Sequence, residues 1–179
     1  MHGKRTYDII STALVAAVIA VCSWITVPFG PVPFTMQTFA VFVAALLLGP
    51  WKGMISVVLY LLLGIVGLPV FSAFQAGPAV LTGATGGFLL GFIFIPLVGG
   101  LIDRKSGKPV FSALGLLLGL ALCYLTGTLW YAFVWLDSAS VAAVITTSVL
   151  PYVIPDILKC ILALIVAGKV KSVMKGRFG

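Results

Sequence analysis

Glutamate is absent from this 179-residue chain, its four acidic residues are all aspartates, and charged residues make up only 8% of it. A water-soluble domain of this size carries roughly three times that share, about 25%, so a soluble globular fold is excluded. Histidine occurs once, as His2, which rules out H-E-x-x-H metal helices and Ser-His-Asp triads as engines of chemistry. The three cysteines, Cys22, Cys123 and Cys160, stand singly in apolar runs without C-x-x-C spacing, and read as small hydrophobes. A phosphate-cradling G-x-x-x-x-G-K-[ST] loop is also missing, because Gly107-Lys108 runs straight into Pro109. The chain is therefore not expected to be an enzyme, to hydrolyse ATP by itself, or to hold a metal or cofactor.

What is present is hydrophobic: 61% of the residues, with a mean hydropathy of +1.24. Apolar runs at Asp8–Val27, Thr35–Leu48, Gly53–Leu68, Thr85–Ile102, Val110–Leu136 and Val141–Ala167 predict an all-α polytopic membrane protein with six transmembrane helices. A single membrane-embedded domain over residues 1–179 is expected. The second and third runs are shorter than the ~20 residues of an ordinary crossing, so re-entrant segments compete with full spans there. Charge placement decides for spans. With six crossings, Lys4 and Arg5, Lys52, Arg104 to Lys108, and Lys169 to Arg177 fall on one side, which takes ten of the eleven basic residues; Lys159 is the exception. The positive-inside rule then makes both termini cytoplasmic, in a multi-pass protein of the cell membrane. The net charge of +7 serves orientation and contact with anionic lipid rather than nucleic acid. Lys4 and Arg5 before an apolar run, with Ile19-Ala20-Val21-Cys22 further on, are faintly like a lipoprotein leader; Val21 in place of a small residue argues against cleavage.

The outward connections Pro28–Phe34 and Gly67–Pro78 are apolar, aromatic and rich in Pro and Gly, and are expected to fold back over the bundle as a lid or plug. No internal repeat supports an inverted-repeat transporter.

Asp156 and Lys159 are the only charges inside a long apolar run, and such residues mark functional sites because unpaired they cost about 2.5–3.5 kcal/mol on insertion scales. Pro151 and Pro155 interrupt the last run, and a helix beginning at Pro155 would put Asp156 in its positive first turn with Lys159 on the same face. From Asp156 to Lys169 the rise is about 20 Å at ~1.5 Å per residue, which sets the pair in the outer half of the bilayer, under a pocket opening outward. The pair either staples a broken crossing or offers an acceptor and a cation to a polar ligand, and a cation near a helix start would also suit a carboxylate. Thr35, Gln37, Thr38, Gln75, Thr82 and Thr85 cluster toward the same side, with Phe71, Phe74, Tyr124, Trp130 and Tyr152 available as walls and Trp24, Trp51 and Trp135 as interface anchors. On the first helix, Ala13 with Ala17 and Ala16 with Ala20 form small-xxx-small faces for close helix approach, internal or to another membrane subunit. Gly83/Gly87, Gly87/Gly91 and Gly115/Gly119 repeat that spacing for internal packing.

Pro31-Val-Pro-Phe-Thr-Met-Gln-Thr-Phe-Ala, Leu46-Leu-Leu-Gly-Pro, Gly67-Leu-Pro-Val-Phe, Gly83-Ala-Thr-Gly-Gly-Phe and Pro151 with Asp156-Ile-Leu-Lys159 together resemble the BioY family, the biotin-binding S components of energy-coupling factor (ECF) transporters. Ala84 stands where the family usually has Pro before Thr-Gly-Gly, and Pro155 where it usually has Gly before the Asp. The resemblance implies a six-helix subunit with high affinity for biotin, for which Asp156, Lys159, Gln37, Gln75, Thr85, Phe71 and Tyr152 are the candidate binding residues of this chain. It also implies docking of a transmembrane coupling subunit, driven by two ATPase subunits, on Ala13, Ala16, Ala17 and Ala20. Asp156 would accept a ureido N–H; Lys159 would donate to the ureido oxygen or to the carboxylate. A stand-alone ion-coupled carrier of a small carboxylate or vitamin, and a purely structural membrane subunit, are the alternatives.

Overall fold

In a computed structural model, which describes residues 2–28, 32–136 and 140–178, apolar helices bundle around a shared core. Residues 29–31 and 137–139, in two of the connections, lie outside the described residues, as do the side chains of His2, Lys4, Lys175 and Arg177. Helix α1 (His2–Trp24) ends at a two-residue antiparallel pair, β1 (Thr26–Val27) with β2 (Phe34–Thr35), which clips the ends of the loop after α1 together. Ser23 Oγ donates to the Val70 carbonyl at 2.5 Å and Trp24 Nε1 to that of Pro69 at 2.8 Å, so the end of α1 also holds the next loop.

The second element, α2 (Gln37–Ile65), turns back on itself at Gly49, whose φ of 75° and ψ of −171° are open to glycine and costly to other residues. Pro50 follows with no N–H to lose, so the Gly-Pro dipeptide ends one arm and starts the next. The reversal places the Ala44 carbonyl within 3.1 Å of where a Cβ on Gly53 would stand, and lets Gln37 Nε2 donate to the Tyr60 hydroxyl near the other ends of the arms. The arms, 37–48 and 50–65, are about 18 and 24 Å long at ~1.5 Å per residue.

After a loop with a short 3₁₀ turn at Ser72–Phe74 come α3 (Pro78–Thr82) and α4 (Gly86–Gly91), which continues through a π-helical turn (Ile95–Gly99) into α5 (Gly100–Ser106). Helix α6 (Pro109–Trp130) runs into a second π-turn (Tyr131–Trp135), and α7 (Val141–Ser148) is broken from α8 (Leu150–Phe178) at Val149. Five helices among the described residues are long and apolar enough to cross a membrane: Arg5–Trp24, Gln37–Ile65, Gly86–Ser106, Pro109–Trp135 and Leu150–Met174. Ile9, Leu14, Leu118, Leu125, Leu158 and Ile165 are exposed along the spans, where lipid rather than water is their solvent. This is a multi-pass membrane protein.

Lipid gives apolar helices no hydrophobic reason to associate, so close packing must do it. A Cβ on Gly87 would stand 2.2 Å from Trp130 Cβ and one on Gly91 2.8 Å from Cys123 Cα, which is how α4 lies directly on α6. On α1 the two alanine faces separate. Ala16 and Ala20 are buried in this chain's own core, whereas Ala13 and Ala17 are exposed. The expectation of Ala16 and Ala20 as a docking face is therefore corrected: α2 packs across α1 and takes up the close approach those positions offer.

The bundle ends differ in charge. Lys52, just past the Gly49 turn, pairs with Asp8 at 2.5 Å, and Lys171 with Asp103 at 3.0 Å, Asp103 also accepting from Ser112 Oγ at 2.5 Å. A Cβ on Gly100 would touch Pro50, so the Gly49 turn and α5 share this end.

Candidate functional site

Helix α8 carries the site because its inward face is read at helical spacing: Asp156, Lys159, Cys160, Ala163 and Ala167 are buried, while Ile154, Leu158, Ile161 and Ile165 face outward. It begins at Leu150, not at Pro155. Pro151 is the residue whose missing N–H falls among the unpaired donors of the first turn, and Pro155 sits inside the helix. Asp156 is accordingly beyond the first turn, and the expected help from the helix start is withdrawn.

Asp156 and Lys159 meet at 2.7 Å with both side chains 6% exposed. Each has further partners. Lys159 Nζ donates to the Thr35 carbonyl at 2.6 Å and to Thr38 Oγ1 at 3.3 Å, which with Asp156 Oδ1 uses all three of its N–H groups. Its ammonium also lies 3.9 Å from the centre of the Phe34 ring. Asp156 Oδ2 accepts from the Tyr124 hydroxyl at 2.5 Å. A buried ion pair holds its charge only when its polar atoms find partners, and here Lys159 Nζ and both Asp156 oxygens each have at least one. The same contacts tie the 32–38 segment to α8, with the Tyr152 hydroxyl donating to the Val32 carbonyl.

Around the pair is a cavity of about 610 Å³, counting the part open to solvent. Thr35, Gln37, Thr38, Thr85, Ser148 and Tyr124 supply hydrogen-bonding groups to its wall, and Phe88, Leu89, Phe92 and Leu120 supply apolar ones. Of the seven residues singled out from sequence for binding, Gln37, Thr85, Tyr152, Asp156 and Lys159 line this cavity together. Gln75 lines a separate, outer groove instead. Phe71 lines neither, for its ring stacks edge-on against Tyr60 at 5.6 Å and fills the space a side chain on Gly64 would need. Thr82 caps its own turn by donating to the Ala79 carbonyl, Trp130 Nε1 donates to the Gly83 carbonyl, and Phe74 stacks on Trp24.

Tyr124 is more than the apolar wall expected of it, because its hydroxyl fixes the second oxygen of Asp156. A tyrosine in an apolar run gives no sign of its partner. Phe88 and Phe92, at i and i+4 of one helix face, carry a periodic signal, but only the fold says that this face meets the cavity. Among the described residues no cluster of His, Cys and Asp suits a metal.

The arrangement suits a small, largely apolar molecule that brings its own adjacent donor and acceptor to the pair. Known proteins with this architecture point the same way. A sequence model of the BioY family matches residues 1–176. The biotin transporter BioY of Thermotoga maritima is 37% identical over 165 residues, covering 92% of this chain and 96% of that protein. The biotin transporter BioY2 of Lactococcus lactis is also 37% identical, covering 92% and 90%. A crystal structure of the S-component for biotin from an ECF-type ABC transporter superposes with a TM-score of 0.85 at 25% identity, over 96% of this chain and 94% of that one. The chain belongs to the BioY family.

Proposed function

We propose that this chain is the biotin-capturing S component of an ECF-type transporter, a binding and uptake protein rather than an enzyme. The observation that carries the reading is the buried Asp156–Lys159 pair, with acceptor capacity left on both carboxylate oxygens, at the wall of a cavity whose other described lining groups are neutral polar and apolar. Biotin combines a ureido ring, an apolar thioether ring and an apolar chain, the mixture that such a wall accommodates. The substrate-contacting set is Asp156, Lys159, Gln37, Thr85 and Tyr152, with Tyr124 positioning Asp156. Titration of the purified, detergent-solubilised protein with biotin tests the reading: saturable binding supports it, and its absence overturns it.

Topology and partners follow as part of the same proposal. The arms of α2 make two crossings, the whole chain acts as one membrane domain with six, and both termini are cytoplasmic in the cell membrane. Supporting this, the Asp8–Lys52 and Asp103–Lys171 pairs and the Pro50–Gly100 contact gather basic connections at one end of the bundle. Cysteines introduced near residue 106 are expected to react only from the cytoplasm, and those near residue 76 only from outside. Uptake draws on a transmembrane coupling subunit with two ATPase subunits, docked on the exposed Ala13/Ala17 face of α1.

A further inference from the structure

The two ends of biotin make opposite electrostatic demands, and the protein has one cation to offer at the outward end. Every Lys and Arg other than Lys159 lies at positions 4, 5, 52, 104, 105, 108, 169, 171, 175 or 177, so no other can reach the cavity from that end. Lys159 is not a free cation. Its charge is balanced by Asp156 at 2.7 Å, and of its three hydrogen bonds the longest, to Thr38 Oγ1 at 3.3 Å, is the one a ligand oxygen would replace. A carboxylate brought to Lys159 would stand beside the Asp156 carboxylate and leave a net negative charge buried. A cyclic urea brings no charge and presents an oxygen and an N–H side by side, the complement of an ammonium and a carboxylate oxygen side by side.

The other end of the ligand then has a place to go. Pro33, Ser72 and Thr85 line both the inner cavity and a wider outer groove, which encloses about 1570 Å³ counting the part open to solvent. The groove is walled by Trp24, Phe74 and Val80 with Thr26 and Gln75, and among the described residues no charged side chain lines it. Hydroxyl and amide groups can donate or accept, so they serve a carboxylate and a carboxamide alike.

We propose that the outer groove between Trp24 and Thr85 is a tail subsite that reads its ligand without charge, so that this protein binds neutral-tailed biotin derivatives as well as biotin. The proposal rests on the biotin reading given above. It makes the Asp156–Lys159 pair the sole discriminating element, directed at the ureido ring, and leaves the far end of the valeryl chain open to change.

The test is displacement of radiolabelled biotin from the purified protein by four competitors: biotin, biotin carboxamide, biotin methyl ester and 2-iminobiotin. The carboxamide and the ester are expected within about tenfold of biotin. The 2-imino compound replaces the ureido oxygen with a protonated nitrogen that faces Lys159, and is expected to be weaker by about a hundredfold or more. Loss of about a hundredfold with the two neutral tails would show a charge-reading tail subsite and overturn the proposal. So would a 2-imino compound within about tenfold of biotin, since the pair would then not read the ureido ring. If biotin itself fails to bind, the functional reading falls first and this proposal with it; if biotin binds and only the analogue pattern is reversed, the functional reading stands and this proposal alone fails. Lys159→Met supplies a second measure where it remains folded: the ratio of carboxamide to biotin affinity is expected to stay unchanged, whereas a lysine holding the carboxylate would make that ratio move.

Discussion

Among the described residues are three Asp–Lys pairs of nearly the same length, and they do different work because they sit in different surroundings. Asp8–Lys52 and Asp103–Lys171 lie at the basic end with their lysines 42% and 49% exposed, while Asp156–Lys159 is 6% exposed on both sides inside the bundle. Water screens the first two, so each is worth about 0–1 kcal/mol. The third has no water to fall back on, and removing one partner strands the other at a cost of about 3–5 kcal/mol. Distance therefore says little about an ion pair; burial and remaining hydrogen bonds say most.

The widest gap between the pairs should appear on breaking the buried one. Asp156→Ala and Lys159→Ala are each expected to weaken biotin binding by about 2 kcal/mol or more, roughly thirtyfold, in a titration of the purified protein. Near-unchanged affinity in both would remove the pair from the site.

Next in size is a change that touches no charge. Ala16→Leu forces a larger side chain into the α1–α2 contact and is expected to cost about 1–3 kcal/mol, read as a lower thermal transition in detergent. Ala17→Leu, on the exposed face of the same helix, should leave stability and biotin binding alone and impair uptake in cells that carry the coupling subunits. Equal loss of stability in both would mean that α1 buries both faces.

Tyr124→Phe sharpens the comparison from within the site. It removes one hydrogen bond to Asp156 and keeps the ring, so a loss of about 1.5 kcal/mol, near tenfold in biotin affinity, is expected. An affinity equal to that of the unaltered protein would reduce Tyr124 to a wall.

These effects differ in how far the sequence announces them. Charges in an apolar run are conspicuous, so Asp156 and Lys159 stand out without a structure, as do the apolar runs that become the helices. The reversal at Gly49-Pro50 is legible too, since Lys52 between two short apolar runs calls for two crossings; what the backbone adds is that a single glycine at φ 75° makes the turn, with no loop between the arms. Pro155 misleads, because Pro151 four residues earlier fits a helix start equally well and the helix uses it. Helical spacing yields two alanine faces on α1 without saying which one faces α2. Gln75 and Phe71 come from a loop whose course turns on Ala73 and Phe74, both in the left-handed region at φ of 53° and 60°. Their local sequence carries no mark of that conformation, so neither the exclusion of Phe71 from the cavity nor the placement of Gln75 in the separate groove could be read beforehand.

The smallest expected effect completes the contrast. Lys52 sits at 2.5 Å from Asp8, the shortest of the three ion pairs, and by length alone its removal should hurt most. Both groups face water instead, and each regains hydration when its partner goes, so Lys52→Ala is expected to change thermal stability by less than about 1 kcal/mol and biotin affinity not at all. Raising the salt concentration should shrink even that difference, because an exposed pair is screened while the buried pair is not. A destabilisation of Lys52→Ala as large as that of Ala16→Leu, insensitive to salt, would show that the Asp8–Lys52 contact is shielded in the membrane and that exposure in the isolated chain misjudges this end of the bundle.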